Sequence, residues 1–485
     1  MTFNHLWINF KFSLMKVDGF THPVPQVLVL NYQGLQTVLH KPTAPTTVST
    51  KIYSLFYIVK ATKIHTKSER KLSTTMKLTF KKDDLLNGIN IVLKAVPSKT
   101  TMSILECILI DASTGDIKLT ANDMELGIET RVEGSVLEKG KIALDARLFS
   151  EIVRKLSSGD AEVVIESDEK YNTVISCENS VFKIQGKDGD EFSYLPYIEK
   201  NQYICLSQFT LKEVIRQTIF SISPNDSNKM MTGELFEVKG SELRVVSLDG
   251  HRMSIRKVVL KDNYSDIKVI VPGKTLSEIS KILGGDAEKE VLIFFGPNHI
   301  LFEFDDTLVV SRLIEGEYFK VDQMLSNDYE TRVTVNKREF LDCIERASIL
   351  IRENDKKPII INITDANMAL KLNSSFGTMN AEILIHKTGK DIMIGFNPKF
   401  LIDALRIIDD EEVTLYLMNP KSPCFIKDEE ENYIYLIHSE DLRTMIFGTI
   451  LLALVVAVIS TILGTLGAIG AFYSSNKLKK PIHLM

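Results

Sequence analysis

One supersecondary pattern occurs three times between residues 76 and 437, and this repetition is the strongest limit on what the chain can fold into. Each copy opens with a short alternating strand that runs into an amphipathic helix: MKLTFKKDDLLNGINIVLKAV from 76, YICLSQFTLKEVIRQTIFSI from 203 and RVTVNKREFLDCIERASIL from 332. Aligning Leu85, Leu211 and Phe340 gives spacings of 126 and 129 residues. A second helix recurs in LDARLFSEIVRKLSSGD, VPGKTLSEISKILGGD and FNPKFLIDALRIIDD, where Leu148, Leu276 and Phe400 are 128 and 124 residues apart. A period near 126 residues is too long for a solenoid unit and predicts three copies of one domain, over 76–201, 202–329 and 330–437. Within each copy, short strands recur between turn signals such as STGD, KGSE and GPNH. The predicted fold class is therefore α+β, with antiparallel sheets and two helices segregated on one face.

The flanks differ from this core. Residues 1–75 show neither a period of two nor one of 3.6, and they lack a signal-peptide layout. The expectation is a weakly ordered extension, or a start placed upstream of Met76. Residues 445–473 are 29 residues without a charge, followed by Lys477, Lys479 and Lys480. Taken alone that run predicts a transmembrane helix with a cytoplasmic C-terminus. A frameshifted or fused reading frame over 438–485 is the favoured account.

Charge is unevenly spread. Of 58 Lys/Arg and 63 Asp/Glu, residues 1–75 hold nine and two and residues 438–485 hold four and two, which leaves 45 and 59 in 76–437, a formal charge of −14. An acidic middle can hold nucleic acid only if its cations gather on one surface. The paired helices carry many of them: Lys94, Arg147, Arg154 and Lys155; Lys212, Arg216, Lys274 and Lys281; Lys337, Arg338, Arg346, Lys399 and Arg406. The five cysteines are scattered, form no C-x-x-C and have no clustered His, which argues against both a disulfide framework and a zinc site.

Two stretches suggest chemistry. In VVSLDGHRMS (245–254), Asp249 and His251 invite a hydrolytic reading, but no nucleophile motif accompanies them, and general acid-base work needs side chains that converge on one atom. The GKT at 273–275 suggests a phosphate loop, yet the first glycine of that motif would fall on Lys268. Neither catalytic residues nor a cofactor or metal is expected.

MKLTF, LDARLFSEIVRKL, GELFEV, SLDGHRMS, VPGKTLSEI and IGFNPKFLIDAL, in that order, resemble the bacterial DNA polymerase III beta subunit, the replication sliding clamp. The resemblance covers 76–437 and implies a homodimeric, head-to-tail ring, sheets outside and helices inside, that encircles double-stranded DNA in the cytoplasm without catalysing a reaction. It implies DNA-facing positions at Lys99, Arg147, Asn225 and Lys274, with Lys99 standing where the family often has Arg. It also implies a groove for short linear motifs of the polymerase III catalytic subunit, the clamp loader and repair proteins, at Met231, Leu248, Gly250, His251, Arg252, Met253, Phe319, Met324 and Leu436. Flexible Met side chains suit several partners, and Arg252 is expected at the rim. Two departures stand out: Phe319 replaces a family Pro, and HSEDLRT follows Ile437 where the family ends in apolar and Pro residues. The competing reading is a membrane-anchored interaction scaffold that does not encircle DNA.

Overall fold

The structure is a computed structural model that describes residues 28–32, 35–39, 76–157, 161–224, 228–326, 328–352, 357–427, 433–437, 455–466 and 468–469. It divides into two units, Met1–Ser73 and Thr74–Met485. In the first, Leu28–Tyr32 and Leu35–Leu39 pair as an antiparallel hairpin.

In the second unit the three copies are plain, each with two helices. They are α1 (Lys82–Val92), α2 (Ala146–Lys155), α3 (Gln208–Thr218), α4 (Gly273–Ile282), α5 (Lys337–Ser348) and α6 (Pro398–Ile407). Local chemistry sets several of their starts. Asp145, Ser207, Asn336 and Asn397 accept a backbone N–H of the first turn of α2, α3, α5 and α6, and Pro398 pre-sets the opening dihedral of α6. The aligned Leu85, Leu211 and Phe340 are all fully buried.

The second landmark needs a one-residue correction. Leu148 is exposed and Phe400 only half-buried, whereas Phe149, Leu276 and Leu401 are fully buried. The structural period at this helix is therefore 127 and 125 residues.

One tie recurs in all three domains: a side chain from the first turn of the first helix secures the end of the second helix. Lys82 Nζ donates to Leu156 O (2.6 Å), Gln208 Oε1 accepts from Gly284 N (3.1 Å), and Lys337 Nζ donates to Ile408 O (2.7 Å). A cation on the terminal carbonyl satisfies an orphan acceptor and opposes the negative end of the helix dipole.

The sheets ignore the domain boundaries. A nine-stranded antiparallel sheet passes from the first domain to the second where Leu126–Val132 pairs with Thr307–Arg312, from Leu126 opposite Ser311 to Thr130 opposite Thr307. A seven-stranded sheet joins the second domain to the third where Arg252–Pro272 pairs with Tyr433–Ile437, from Arg252 opposite Ile437 to Arg256 opposite Tyr433. A five-stranded sheet at one end has Ser180–Gln185 and Ser135–Glu138 as its edges, and a four-stranded sheet at the other has Gly377–Leu384 and Ile392–Phe396. The first two domains share one contiguous core, while the third has its own.

Of the apolar run 445–473, the described part is helical over 455–466 and 468–469 with exposed side chains. Among the described residues no helix is long and apolar enough to cross a membrane. The rest of the run, and with it the full span of the helix expected over 445–473, lies outside the described residues.

The second domain holds one carboxyl out of solvent completely. Glu234 is fully buried, with Oε2 accepting from Thr218 Oγ1 (2.8 Å) while Oε1 has no hydrogen-bond partner, and burial pushes its pKa up to about 8. The folded protein then binds a proton that the unfolded chain releases near pH 4.5, so this group's contribution to stability is complete below that pH and is lost as pH rises through about 8. Glu234→Gln is expected to flatten that decline, so that thermal unfolding of the variant gains on the unmodified chain from pH 5 to pH 8.5; parallel curves would contradict the assignment.

Candidate functional site

The stretch 245–254 forms the hairpin turn between strands Gly233–Leu248 and Arg252–Pro272. Asp249 organises it. Its N–H donates to Arg252 O (3.2 Å), its Oδ1 accepts from the N–H groups of His251 (2.9 Å) and Arg252 (3.0 Å), and its Oδ2 accepts from Arg252 Nε (3.0 Å). Gly250 follows at φ 88°, a left-handed conformation that favours glycine. The carboxylate is thus occupied by the turn and the guanidinium. The His251 ring lies instead on Phe400, with ring centroids 5.7 Å apart and planes at 22°. Asp249 and His251 do not form an acid-base pair. Among the described residues there is also no cluster of three potential metal ligands.

Arg252 is drawn inward rather than left at a rim. Its guanidinium lies 5.3 Å from the Phe220 ring centroid and 4.8 Å from that of Phe400, and Nη1 donates to Asp403 Oδ2 (2.5 Å). Phe400 and Asp403 belong to α6, so Arg252 clamps the second domain to the third. Charge-assisted bonds and ring stacking of this kind are the strong end of their classes.

Beside the turn lies a small apolar core of its own. Leu235, Val246, Leu248, Met253, Ile255 and Ile270 come from the second domain, Tyr318 and Val321 from the following linker, and Phe425 from the third domain. Met230, Met231, Phe319 and Leu325 pack on it half-buried, and Met324 stands exposed at its edge. Tyr318 donates its hydroxyl to Val246 O (3.3 Å), and burial raises its pKa. Phe319 packs edge-to-face on Tyr318 at 5.6 Å and adds to this surface. Leu436 pairs through its backbone with Met253 and Phe425. Its side chain, and everything over 438–454, lies outside the described residues.

Eight of the nine positions expected at this groove therefore lie around this turn, its flanking strands and the linker, and Leu436 is placed by its backbone pairing alone. Phe220, Met230, Tyr318, Phe400, Asp403 and Phe425 join them without having been foreseen. Phe400 carried a detectable signal, because an aromatic stands there where the corrected register puts Leu148 and Thr275 in the other copies.

The cationic positions divide into two groups. Arg147 Nη2 donates to Ser98 O (3.2 Å), which brings it beside the exposed Lys99. Lys274 is ion-paired with Asp123 of the first domain, and Asn225 lies outside the described residues. Lys212 and Lys337 bond helix-terminal carbonyls, while Arg216, Lys281 and Arg406 are paired with Glu213 and Asp409, Glu278 and Glu345. Among the described residues, Lys94, Lys99, Arg147, Arg154, Lys155, Arg338, Arg346 and Lys399 make no ion pair.

Comparison with known proteins follows this geometry. The family of DNA polymerase III beta subunits matches in three parts: its N-terminal domain over 76–196, its central domain over 205–320 and its C-terminal domain over 322–439. A beta sliding clamp of Staphylococcus epidermidis is 33% identical over 371 residues, covering 74% of this chain and 97% of the relative. A Staphylococcus aureus beta sliding clamp is 32% identical over 369 residues with the same coverage. A Eubacterium rectale structure assigned to the DNA polymerase III beta subunit aligns with TM-score 0.74 and 65% identity, covering 76% of this chain and all (100%) of that one. The DNA polymerase sliding clamp of Bacillus subtilis aligns with TM-score 0.73 and 33% identity, over 76% and 99%.

Removing the charge of Asp403 tests the clamp between the second and third domains. Asp403→Asn is expected to lower the unfolding free energy by roughly 1–3 kcal/mol, because Arg252 keeps its buried position and loses a charged acceptor. Urea unfolding reads the change.

Proposed function

The chain belongs to the bacterial DNA polymerase III beta subunit family and is a DNA sliding clamp, and from that premise we propose how it closes, holds DNA and receives partners. Two copies join head to tail. The supporting observation is that the repeated domains end in unlike sheet edges. The edge strand Ser180–Gln185 exposes Val181 and Phe182, and the edge strand Gly377–Leu384 exposes Leu384, with Ile349 and Phe376 also exposed in that domain. Unpaired edges with apolar side chains favour pairing with another chain, and a twofold axis that joins unlike ends closes the assembly instead of extending it into a fibre.

DNA is held without being read. Phosphate contacts position a duplex but carry no sequence information, and many weak ones allow sliding. Lys99, Arg147, Arg154 and Lys155 of the first domain and Arg338, Arg346 and Lys399 of the third supply cations that no carboxylate pairs among the described residues. Retention is topological, so no bond is made or broken: the clamp is a non-catalytic processivity factor that works in the cytoplasm. The groove at the 249–252 turn takes short linear motifs of the polymerase and the clamp loader. Met230, Met231 and Met324 supply an adaptable apolar surface there, and an apolar anchor in such a site dominates the affinity.

Two experiments test this. Loaded on nicked circular plasmid, the protein is expected to stay bound through gel filtration and to fall off once the plasmid is linearised; equal loss from both substrates would contradict encirclement. A fluorescent peptide from the clamp-binding end of the replicative polymerase is expected to lose at least about tenfold in affinity for a Met231→Asp/Met253→Asp variant, since burying unpaired charge in an apolar site costs well over the ~1.4 kcal/mol that corresponds to tenfold.

A further inference from the structure

The 249–252 turn has a twin at the first domain junction. Asp123 N donates to Leu126 O (3.0 Å), and Asp123 Oδ1 accepts from the N–H groups of Glu125 (3.0 Å) and Leu126 (2.7 Å), the same bonds that Asp249 makes within its own turn. The strands correspond as well: Leu126 faces Ser311 of the next domain, as Arg252 faces Ile437. A linker crosses each junction and lays apolar side chains on a satellite core. At the first junction Leu195 and Ile198 do so, against Phe294, Leu301 and Val310.

The twins differ where a partner would meet them. Gly250 is replaced by Met124, held at φ 76° with its side chain 57% exposed. A left-handed methionine is strained, and its side chain gains little burial in return. His251 is replaced by Glu125, which is exposed and makes no ion pair. Tyr194 lines the same cavity as Met124 and Glu125, and Tyr197, three residues on, is 90% exposed. A cavity of about 260 Å³ opens among Asn122, Met124, Gly127, Leu195, Pro196 and His299.

We propose that this junction is a second docking site, for an extended peptide whose apolar anchor enters the cavity and whose neighbouring Lys or Arg meets Glu125. Leu195 fills the space over Gly127 that a larger residue would take, so that wall of the cavity is aliphatic. Exposed Tyr and Met are the residue types enriched where proteins meet. The nearby Arg312 is engaged by Glu315 (3.1 Å), which leaves the charge of Glu125 for a partner. The inference rests on the groove reading only through the internal repeat, and its test separates the two.

Fluorescence anisotropy with the full chain decides it. The probe is a fluorescein-labelled peptide with a Leu-Phe centre flanked by lysines, compared with a twin carrying glutamates in their place. The lysine peptide is expected to bind about tenfold tighter than its twin, to lose about tenfold in Glu125→Lys, and to bind Met231→Asp unchanged. Met124→Gly, which relaxes the turn as it deletes the side chain, is expected to weaken the peptide while raising the melting temperature. Binding that survives both Glu125→Lys and Met124→Gly, or that disappears in Met231→Asp, overturns the second site. Loss of the polymerase peptide alone in Met231→Asp leaves it standing.

Discussion

Backbone pairing across domain boundaries is the constraint on which the rest of the molecule depends. At the first junction the strand bonds are reinforced by Thr130 Oγ1 and Thr307 Oγ1 at 2.9 Å and by Arg131 N donating to Asp306 O at 3.0 Å. At the second junction five residue pairs bring Met253 opposite Leu436 and place the 249–252 turn beside α6. Because a strand's side chains alternate between faces, a slip of one residue at either seam would turn its buried set to solvent. Satellite cores, linkers and turns all take their positions from these two registers.

Much of the architecture was legible in the chain. The repeat located all six helices of the three domains. Asp145, Ser207, Asn336 and Asn397 stand where capping chemistry requires them, and Met76, Leu78 and Phe80 alternate into the core as a half-buried strand should. The pairing partners were not legible, because an alternating pattern says that a strand has a buried face and nothing about which strand lies beside it. Leu148 misled for a related reason: an amphipathic helix with Leu148 and Phe149 adjacent offers two apolar candidates for one core position, and packing chose Phe149.

The groove was legible as a neighbourhood and not as a mechanism. Its residues lie close in sequence around 249–253 and 318–324, but the partners that define Arg252, Phe400 and Asp403, arrive from about 150 residues away. An arginine written beside Asp, Gly and His reads as a surface group; inserted between two phenylalanines and two carboxylates it is part of the frame. The helix cations gave the same lesson. Lys337 and Lys399 look alike in the sequence, yet one secures a carbonyl and the other makes no ion pair, so the charge available to a polyanion is smaller than a count of lysines and arginines implies.

The continuous sheets also decide where such an assembly can come apart. Bending it within a chain would break a ladder that is hydrogen-bonded through the junction and, between the first two domains, tear a shared core. In the proposed dimer the terminal edges carry only what a second copy lends them. In the proposed ring, mechanical compliance is therefore concentrated at the edge strands Ser180–Gln185 and Gly377–Leu384, and each three-domain unit moves between them as a stiff spring.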